Sequence, residues 1–266
     1  MQNMQKKAVK AKIIDKIQLS PDNFQMRLYC PYIAHNIIPG QFIQIRLNNI
    51  SNDPLLCRPF AVYQTDNDNM DILFKLVGKG TRLLSQKVAG DELMIIGPLG
   101  NGFPIDNSFK TALLVAGGMG IAGLHLLINR LKDRNVIVLL GACSEDMLLG
   151  ADDLVSLGVC VLTATEDGSC GYKGMVSQLL EEVLSEEKLK FGGCRIYSCG
   201  PMPMLKAVAE IANNNGVKAY VSLEEKMACG LGACMGCAIE IKSDSKKYKL
   251  VCKDGPVFDA QEIAWK

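Results

Sequence analysis

The chain has 266 residues, 48 % of them hydrophobic and 21 % charged, long enough for two domains of ordinary size and a small appendage. A formal charge of +1 gives no electrostatic reason to expect a nucleic-acid partner, and no basic run with interleaved aromatics occurs. No apolar run reaches membrane-spanning length and the N-terminus carries no signal-peptide core, so the expected location is the cytoplasm, with no membrane partner.

Up to about residue 100 the pattern is one of short alternating runs, such as 41–47 and 70–77, separated by turn-forming pieces at 38–40 and 65–69. These predict a small antiparallel barrel. Within it, Arg58-Pro59-Phe60-Ala61 is followed by Gly78-Lys79-Gly80-Thr81. An arginine and a Gly-Thr turn on neighbouring strands suit the neutralising and capping of a cofactor diphosphate. A surface arginine and a plain hairpin turn explain the same residues on local sequence alone. The Gly- and Pro-rich stretch 98–104 cannot continue a strand and predicts the connection to a second unit.

From Thr111 the period changes: an apolar strand at 112–116, a glycine loop, an amphipathic helix to about Lys132 and a second apolar strand at 136–140. The alternation continues with strands at 159–163, 194–198 and 217–222 and helices near 174–184 and at 201–213. This predicts a parallel sheet covered on both faces. The loop Gly117-Gly118-Met119-Gly120-Ile121-Ala122-Gly123 holds G-x-G-x-x-G from Gly118 to Gly123 between strand and helix. Glycines there let a pyrophosphate approach the backbone at a helix N-terminus, although a tight strand–helix turn uses glycine for packing too. Gly141 and Ala142 end the second strand where an acidic residue would complete an ordinary dinucleotide fingerprint. His125, on the helix after the loop, reads as a packed or surface residue. Neither it nor His35 stands in a catalytic context, so no catalytic general base is assigned.

Near the end, Cys229, Cys234, Cys237 and Cys252 read C-x4-C-x2-C-x14-C, the spacing with which a chain wraps a [2Fe–2S] cluster. Gly230, Gly232 and Gly236 let the intervening amides turn inward. A structural zinc site, the other reading, usually shows two C-x2-C knuckles, and this segment has one. Eleven cysteines is an odd number, and Cys30, Cys57, Cys143, Cys160, Cys170 and Cys194 are scattered through ordinary segments, as reduced thiols would be. The run 242–249 reads as a polar hairpin loop within this segment.

Together the barrel motif, the G-K-G-T turn, the G-G-x-G-I loop, Cys199-Gly200-Pro201 and the cysteine set resemble the ferredoxin–NADP reductase superfamily. Within it, the segment from Glu224 through Cys234 is similar to the electron-transfer subunits of class 1B dihydroorotate dehydrogenases. The resemblance covers essentially the whole chain. It implies an α+β multidomain protein: an antiparallel β-barrel FAD domain at 1–104, a parallel α/β NAD-binding domain at 105–222 and a small C-terminal [2Fe–2S] domain at 223–266. Carried over by position, Arg58, Pro59, Phe60 and Ala61 would line the FAD, with Leu73, Phe74 and Lys75 following it along the next strand and Gly80 and Thr81 at its diphosphate. Gly117, Gly118 and Gly120 would face the pyridine nucleotide, and Cys199, Gly200 and Pro201 its nicotinamide. Cys199 reads equally as a small core residue at a strand end. Glu166 and Asp167 would lie near the adenosine ribose, where acidic side chains favour NAD over NADP, or else form a solvated loop. Two positions depart from the family pattern: Ala61 stands where Ser or Thr is usual, and Gly123 where many members have proline.

A nicotinamide gives electrons in pairs as hydride and an iron–sulfur cluster takes them singly, so a flavin between the two is what the chemistry requires. The resemblance supplies the rest: a separate FMN-containing catalytic subunit oxidises dihydroorotate to orotate, and electrons pass through the cluster and FAD to NAD+ in pyrimidine biosynthesis. The expected assembly is a heterotetramer of two copies of each chain. Two alternatives stand beside it: a differently partnered NAD(P)H:ferredoxin-type oxidoreductase subunit, and a redox sensor without catalysis.

Overall fold

Residues 5–47, 53–185, 193–243 and 247–266 are described by the computed structural model; residues 244–246 of the hairpin loop expected at 242–249 lie outside the described residues. Alternating burial along the first hundred residues produces strands β1 (Lys7–Gln18), β2 (Asn23–Tyr29), β3 (Phe42–Arg46), β4 (Arg58–Ala61), β5 (Gln64–Asp66), β6 (Asn69–Lys75) and β7 (Glu92–Leu99). They form one curled antiparallel sheet in the order β4-β3-β7-β1-β2-β6-β5. Met26, Leu28, Ile43, Ile45, Ile72, Phe74 and Ile95 fill its concave side. Among the described residues β4 and β5 stand at the two edges of the sheet rather than pairing with each other, so the barrel is open.

Two differences from the sequence expectation have physical causes. The strand β7 continues through Pro98 to Leu99, because Pro98 lies beyond the pairing with β1 and at the register shift against β3, where no ladder amide is needed. The Gly-Thr turn is the opening of a helix. Helix α1 (Pro31–Asn36) and helix α2 (Lys79–Gln86) both interrupt the barrel, too short to impose a visible period on the sequence.

The second sheet follows the expected alternation, with β8 (Thr111–Gly117), helix α3 (Ile121–Arg130), β9 (Asn135–Ala142), helix α4 (Ala151–Ser156), β10 (Cys160–Thr165), β11 (Tyr172–Lys173) and helix α5 (Val176–Ser185). Then come β12 (Cys194–Cys199), helix α6 (Met202–Asn214) and β13 (Lys218–Ser222). Every residue of β8 is buried, which accounts for its unbroken apolar run. Ala112, Leu114 and Ala116 face the core under α3, while Leu113 and Val115 face the core under α5 and α6. The order β11-β10-β9-β8-β12-β13 runs in one direction from β8 and then in the other, so the crevice beyond the carboxyl ends of β8 and β12 is a topological switch point.

After β13 the chain forms the short hairpin β14 (Ala238–Glu240) and β15 (Tyr248–Leu250), and β16 (Val257–Asp259) then joins β13 antiparallel at the edge of the second sheet. Part of the segment expected to carry only the cluster thus completes the nucleotide sheet. No helix among the described residues is long and apolar enough to cross a membrane.

The connection between the sheets is clamped from below. Arg195 of β12 is 5 % exposed and bonds Asp106 at 2.6 Å and the Ser108 hydroxyl at 2.7 Å, with its guanidinium 4.4 Å from the Phe109 ring centre. The Tyr197 hydroxyl donates to the Pro104 carbonyl at 2.9 Å. Arg195→Met should therefore lower unfolding stability by about 2 kcal/mol, the scale of hydrogen bonds to a charged group. The bond from Arg195, then those from Ser108, hold the Asp106 carboxyl well below the usual carboxylate range. Its stabilisation is therefore present above an unfolded pKa of about 4 and lost as pH falls toward the folded value. Urea titrations of Asp106→Asn against the unaltered chain should show a gap at neutral pH that narrows below about pH 4; a gap that widens on acidification would contradict the clamp.

Candidate functional site

The half-buried strand β4 sets Arg58 beside the start of α2. A side-chain carbon on Gly80 would stand 2.7 Å from Leu47 Cδ1 and 3.2 Å from Arg58 Nε, so the guanidinium lies directly over the first turn of the helix. Thr81 Oγ1 accepts from the Val77 and Gly78 amides at 3.0 and 3.3 Å, which holds that turn. An arginine over a helix N-terminus, whose first amides have no intrahelical acceptor, fits a diphosphate. On β6, Leu73 points toward the second sheet, while Phe74 points into the barrel and stacks on Phe24 at 5.3 Å. Any contact from Phe74 to a flavin is therefore through its backbone. Lys75 is exposed.

At the switch point the glycines divide the work. A side-chain carbon on Gly120 would collide with the Cys199 carbonyl, and one on Gly117 would stand 2.6 Å from Met204 Sδ, so these two serve the close seating of the loop on Cys199-Gly200-Pro201. Gly118 has a positive φ of 52° and nothing within 4 Å of such a carbon; its backbone faces open space, where a ligand can approach. Cys199 is buried, with its thiol pushed up to about 12 by that burial, which leaves it inert as a nucleophile. Glu166 and Asp167 are exposed at the carboxyl end of β10. Cys143 donates to Glu166 at 3.5 Å, and Asp167 is held low first by its bond from the Ser169 hydroxyl at 2.7 Å.

The cysteine loop turns its backbone amides onto its own sulfurs. Cys229 Sγ accepts the amides of Leu231, Ala233 and Cys234, each at 3.4 Å, and Cys234 Sγ that of Gly236 at 3.5 Å. The Leu231 amide, foremost among these, brings the Cys229 thiol down to about 6. Cys237 and Cys252 are buried, their sulfurs 3.2 Å apart, and burial pushes Cys252 up to about 12. Among the described residues no three His, Cys, Asp or Glu side chains converge closely enough for one metal ion. The sulfurs stand instead as an outer and an inner pair, the division that a two-iron cluster uses and a single tetrahedral zinc does not.

Three groups have contacts that the sequence did not assign. Glu224 is reached by solvent, yet desolvation by the protein around it raises its carboxyl, and its charge acts on Cys199. His125 is 2 % exposed, its ring tilted against that of Tyr63 with centres 4.1 Å apart and its pKa lowered by burial, and the Tyr63 hydroxyl donates to Asp153 at 2.7 Å, so this group ties the barrel to α3 and α4. Gln44, on β3, is 1 % exposed and lies against Gly230 of the cysteine loop. The environment of each is defined by a contact with a distant segment, which no local motif reports.

Fold and site together define an oxidoreductase of the ferredoxin-reductase type that holds FAD and an iron–sulfur cluster. Residues 10–103 match the family described as "Oxidoreductase FAD-binding domain" and residues 224–264 the one described as "Iron-sulfur cluster binding domain of dihydroorotate dehydrogenase B". The chain is 40 % identical over 256 residues, 96 % of its length and 98 % of the relative's, to "Dihydroorotate dehydrogenase B (NAD(+)), electron transfer subunit" of Caldanaerobacter subterraneus subsp. tengcongensis. It is 35 % identical to the protein of the same name from Desulforamulus reducens, covering 97 % of this chain and 99 % of that one. The chain belongs to this family of electron transfer subunits. Among solved structures, one titled "Insights into flavin-based electron bifurcation via the NADH-dependent reduced ferredoxin-NADP oxidoreductase structure" superposes with a TM-score of 0.85 at 32 % identity, covering 96 % of this chain and 90 % of that one. "Ferredoxin reductase in carbazole 1,9a-dioxygenase" shares the fold, with a TM-score of 0.68 at 22 % identity over 81 % of this chain and 68 % of that one.

The division of the glycines is testable by thermal unfolding. Gly120→Ala forces a carbon against a backbone carbonyl and should cost about 3 kcal/mol, the upper end of overpacking. Gly118→Ala meets only open space and left-handed strain, about 1 kcal/mol. The reverse order of stabilities would place the close approach at the wrong glycine.

Proposed function

We propose that the chain takes electrons from an FMN-containing dihydroorotate dehydrogenase catalytic subunit and delivers them through its cluster and FAD to NAD+ in pyrimidine biosynthesis. The observation that carries the reading is the preformed loop around Cys229, Cys234, Cys237 and Cys252 seated against the strand pair that leads to β4. Bound FAD exchanges hydride with a nicotinamide and single electrons with a [2Fe–2S] cluster, and the chain's own residues do the rest. In this reading Arg58 and the start of α2, with Gly80 and Thr81, neutralise the FAD diphosphate. Pro59, Phe60, Ala61 and Leu73 line the flavin. Gly118 faces the pyridine nucleotide from a loop that Gly117 and Gly120 seat against Cys199, Gly200 and Pro201, and this turn orients the nicotinamide. Glu166 and Asp167 select NAD, since a 2′-phosphate would be repelled by them. The four cysteines hold the cluster.

The division at 1–104, 105–222 and 223–266, a cytoplasmic location and an assembly of two copies of each subunit belong to the same proposal. Support for a partner comes from the relatives' name, which describes a subunit. A differently partnered NAD(P)H:ferredoxin-type reductase subunit is favoured by one observation, the 0.85 TM-score to a structure titled for that activity.

Dihydroorotate-dependent NAD+ reduction, measured on the complex purified anaerobically through a tag on this chain and on the chain alone, separates the two. Activity confined to the complex is expected; NADH-reducible FAD and cluster without dihydroorotate activity in the complex would keep the electron carrier and discard the substrate. Cys234→Ser should abolish the cluster spectrum and at least nine-tenths of complex activity while FAD absorbance remains. A normal cluster spectrum in that variant would remove Cys234 from the ligand set.

A further inference from the structure

Among the described residues Gln44, His125 and Arg195 each carry a buried side-chain nitrogen without a hydrogen-bond partner, and of these Gln44 is the one that lies against the cysteine loop. Its neighbours Ile43 and Ile45 point into the barrel, so strand alternation turns Gln44 outward, on the same face as Phe42. That face is covered by the cluster segment: Phe42 packs in one cluster with Cys237, Val251 and Cys252. Gln44 pairs across the ladder with Pro59 of β4, and its carboxamide lies flat against Gly230, the residue after the first cysteine of the loop. A side-chain carbon on Gly230 would collide with Gln44 Nε2 and stand 2.9 Å from its Oε1. Gly230 has a φ of +67°, so both its backbone and the carboxamide require glycine there.

The amide nitrogen Nε2 is fully buried and has no hydrogen-bond partner among the described residues. Leaving such a donor unpaired is unfavourable, and a bound group that brings an acceptor to this point relieves it. The backbone donors to Cys229 Sγ, from Leu231, Ala233 and Cys234, all belong to the loop itself, and Gln44 approaches that loop from the barrel.

We propose that Gln44 Nε2 donates a hydrogen bond to a sulfur of the bound iron–sulfur cluster on its Cys229 side, making Gln44 a positioning and potential-setting residue between the flavin strand and the cluster. This rests on the cluster reading above. Reduction adds negative charge to the cluster, so a donor on sulfur favours the reduced form and raises the potential. The side chain thereby governs how electrons divide between FAD and cluster while touching neither substrate nor nicotinamide.

Two measurements on the purified complex test this. In an EPR-monitored redox titration, Gln44→Met, which keeps the volume and removes the donor, should lower the cluster midpoint by about tenfold in its one-electron equilibrium, ~59 mV, with the FAD midpoint unchanged. An unmoved cluster midpoint, or a shift confined to FAD, would overturn the assignment. Because the variant could fail to hold its cluster, the second measurement uses the unaltered sequence with the glutamine side-chain amides labelled with nitrogen-15. Pulsed EPR of the reduced cluster should show a coupling to the label. A normal cluster signal without that coupling sinks the Gln44 bond alone, whereas absence of any cluster signal sinks the bond and the cluster reading together.

Discussion

The seating of the cluster segment on the barrel depends on backbone atoms approaching one another with no side chain between them. Asn101, just past β7, donates its amide to the Gly255 carbonyl at 2.6 Å, and its side chain reaches the Asp254 carbonyl at 2.9 Å. A side-chain carbon on Gly100 would stand 2.5 Å from the Gly255 carbonyl oxygen at this contact, and one on Gly120 would collide with the Cys199 carbonyl where the nucleotide loop is seated. Electrons pass between bound groups only over short gaps, so a cluster, a flavin and a nicotinamide held by three different parts of one chain need those parts in contact. Glycine at the crossing points shortens the gap by the width of a side chain. The same economy makes the positions intolerant, since overpacking a contact between two backbones leaves nothing flexible to give way.

What the sequence made legible follows from how local each signal is. The alternation of apolar strands and amphipathic helices after Thr111 is a property of ten-residue windows, and the second sheet appears where the period places it. The cysteine spacing and the G-x-G-x-x-G loop are local too. The helix α2 was hidden because eight residues opening with Lys-Gly-Thr show the composition of a turn, and their helical state is secured by Thr81 bonding back to Val77 and Gly78. Pro98 inside β7 was misread for the converse reason: its tolerance depends on where the partner strands end, which no window around residue 98 contains.

Gln44 and Glu224 lie further out of reach. A glutamine between two isoleucines on a short strand has the appearance of an ordinary solvent-facing residue of an alternating run. Its outer face is buried only because residues almost two hundred positions later fold over it. The strand return at β16 belongs to the same class, since its partner β13 is fixed by tertiary closure and its own sequence is three residues long. Long-range closure makes the site, and local sequence supplies its pieces.

The cysteines show how strongly that closure decides chemistry. Cys199 and Cys229 are the same side chain, and the fold drives their thiols in opposite directions, one up to about 12 through burial, the other down to about 6 through inward-turned amides. Cys252 shares the burial of Cys199 yet stands 3.2 Å from the Cys237 sulfur, a contact that a shared thiol proton can bridge. Two buried thiolates side by side would repel one another in a medium that cannot screen them. Iron held by the four cysteines, as proposed above, would supply the positive charge that reverses this balance, and its binding would then favour the folded form of the segment. In the outer pair, the amides of Leu231, Ala233 and Cys234 turned onto Cys229 favour its thiolate. Burial against the segment's own core sets the environment of the inner pair and loop amides that of Cys229, so one set of four like side chains meets two opposed environments because of where the chain closes on itself.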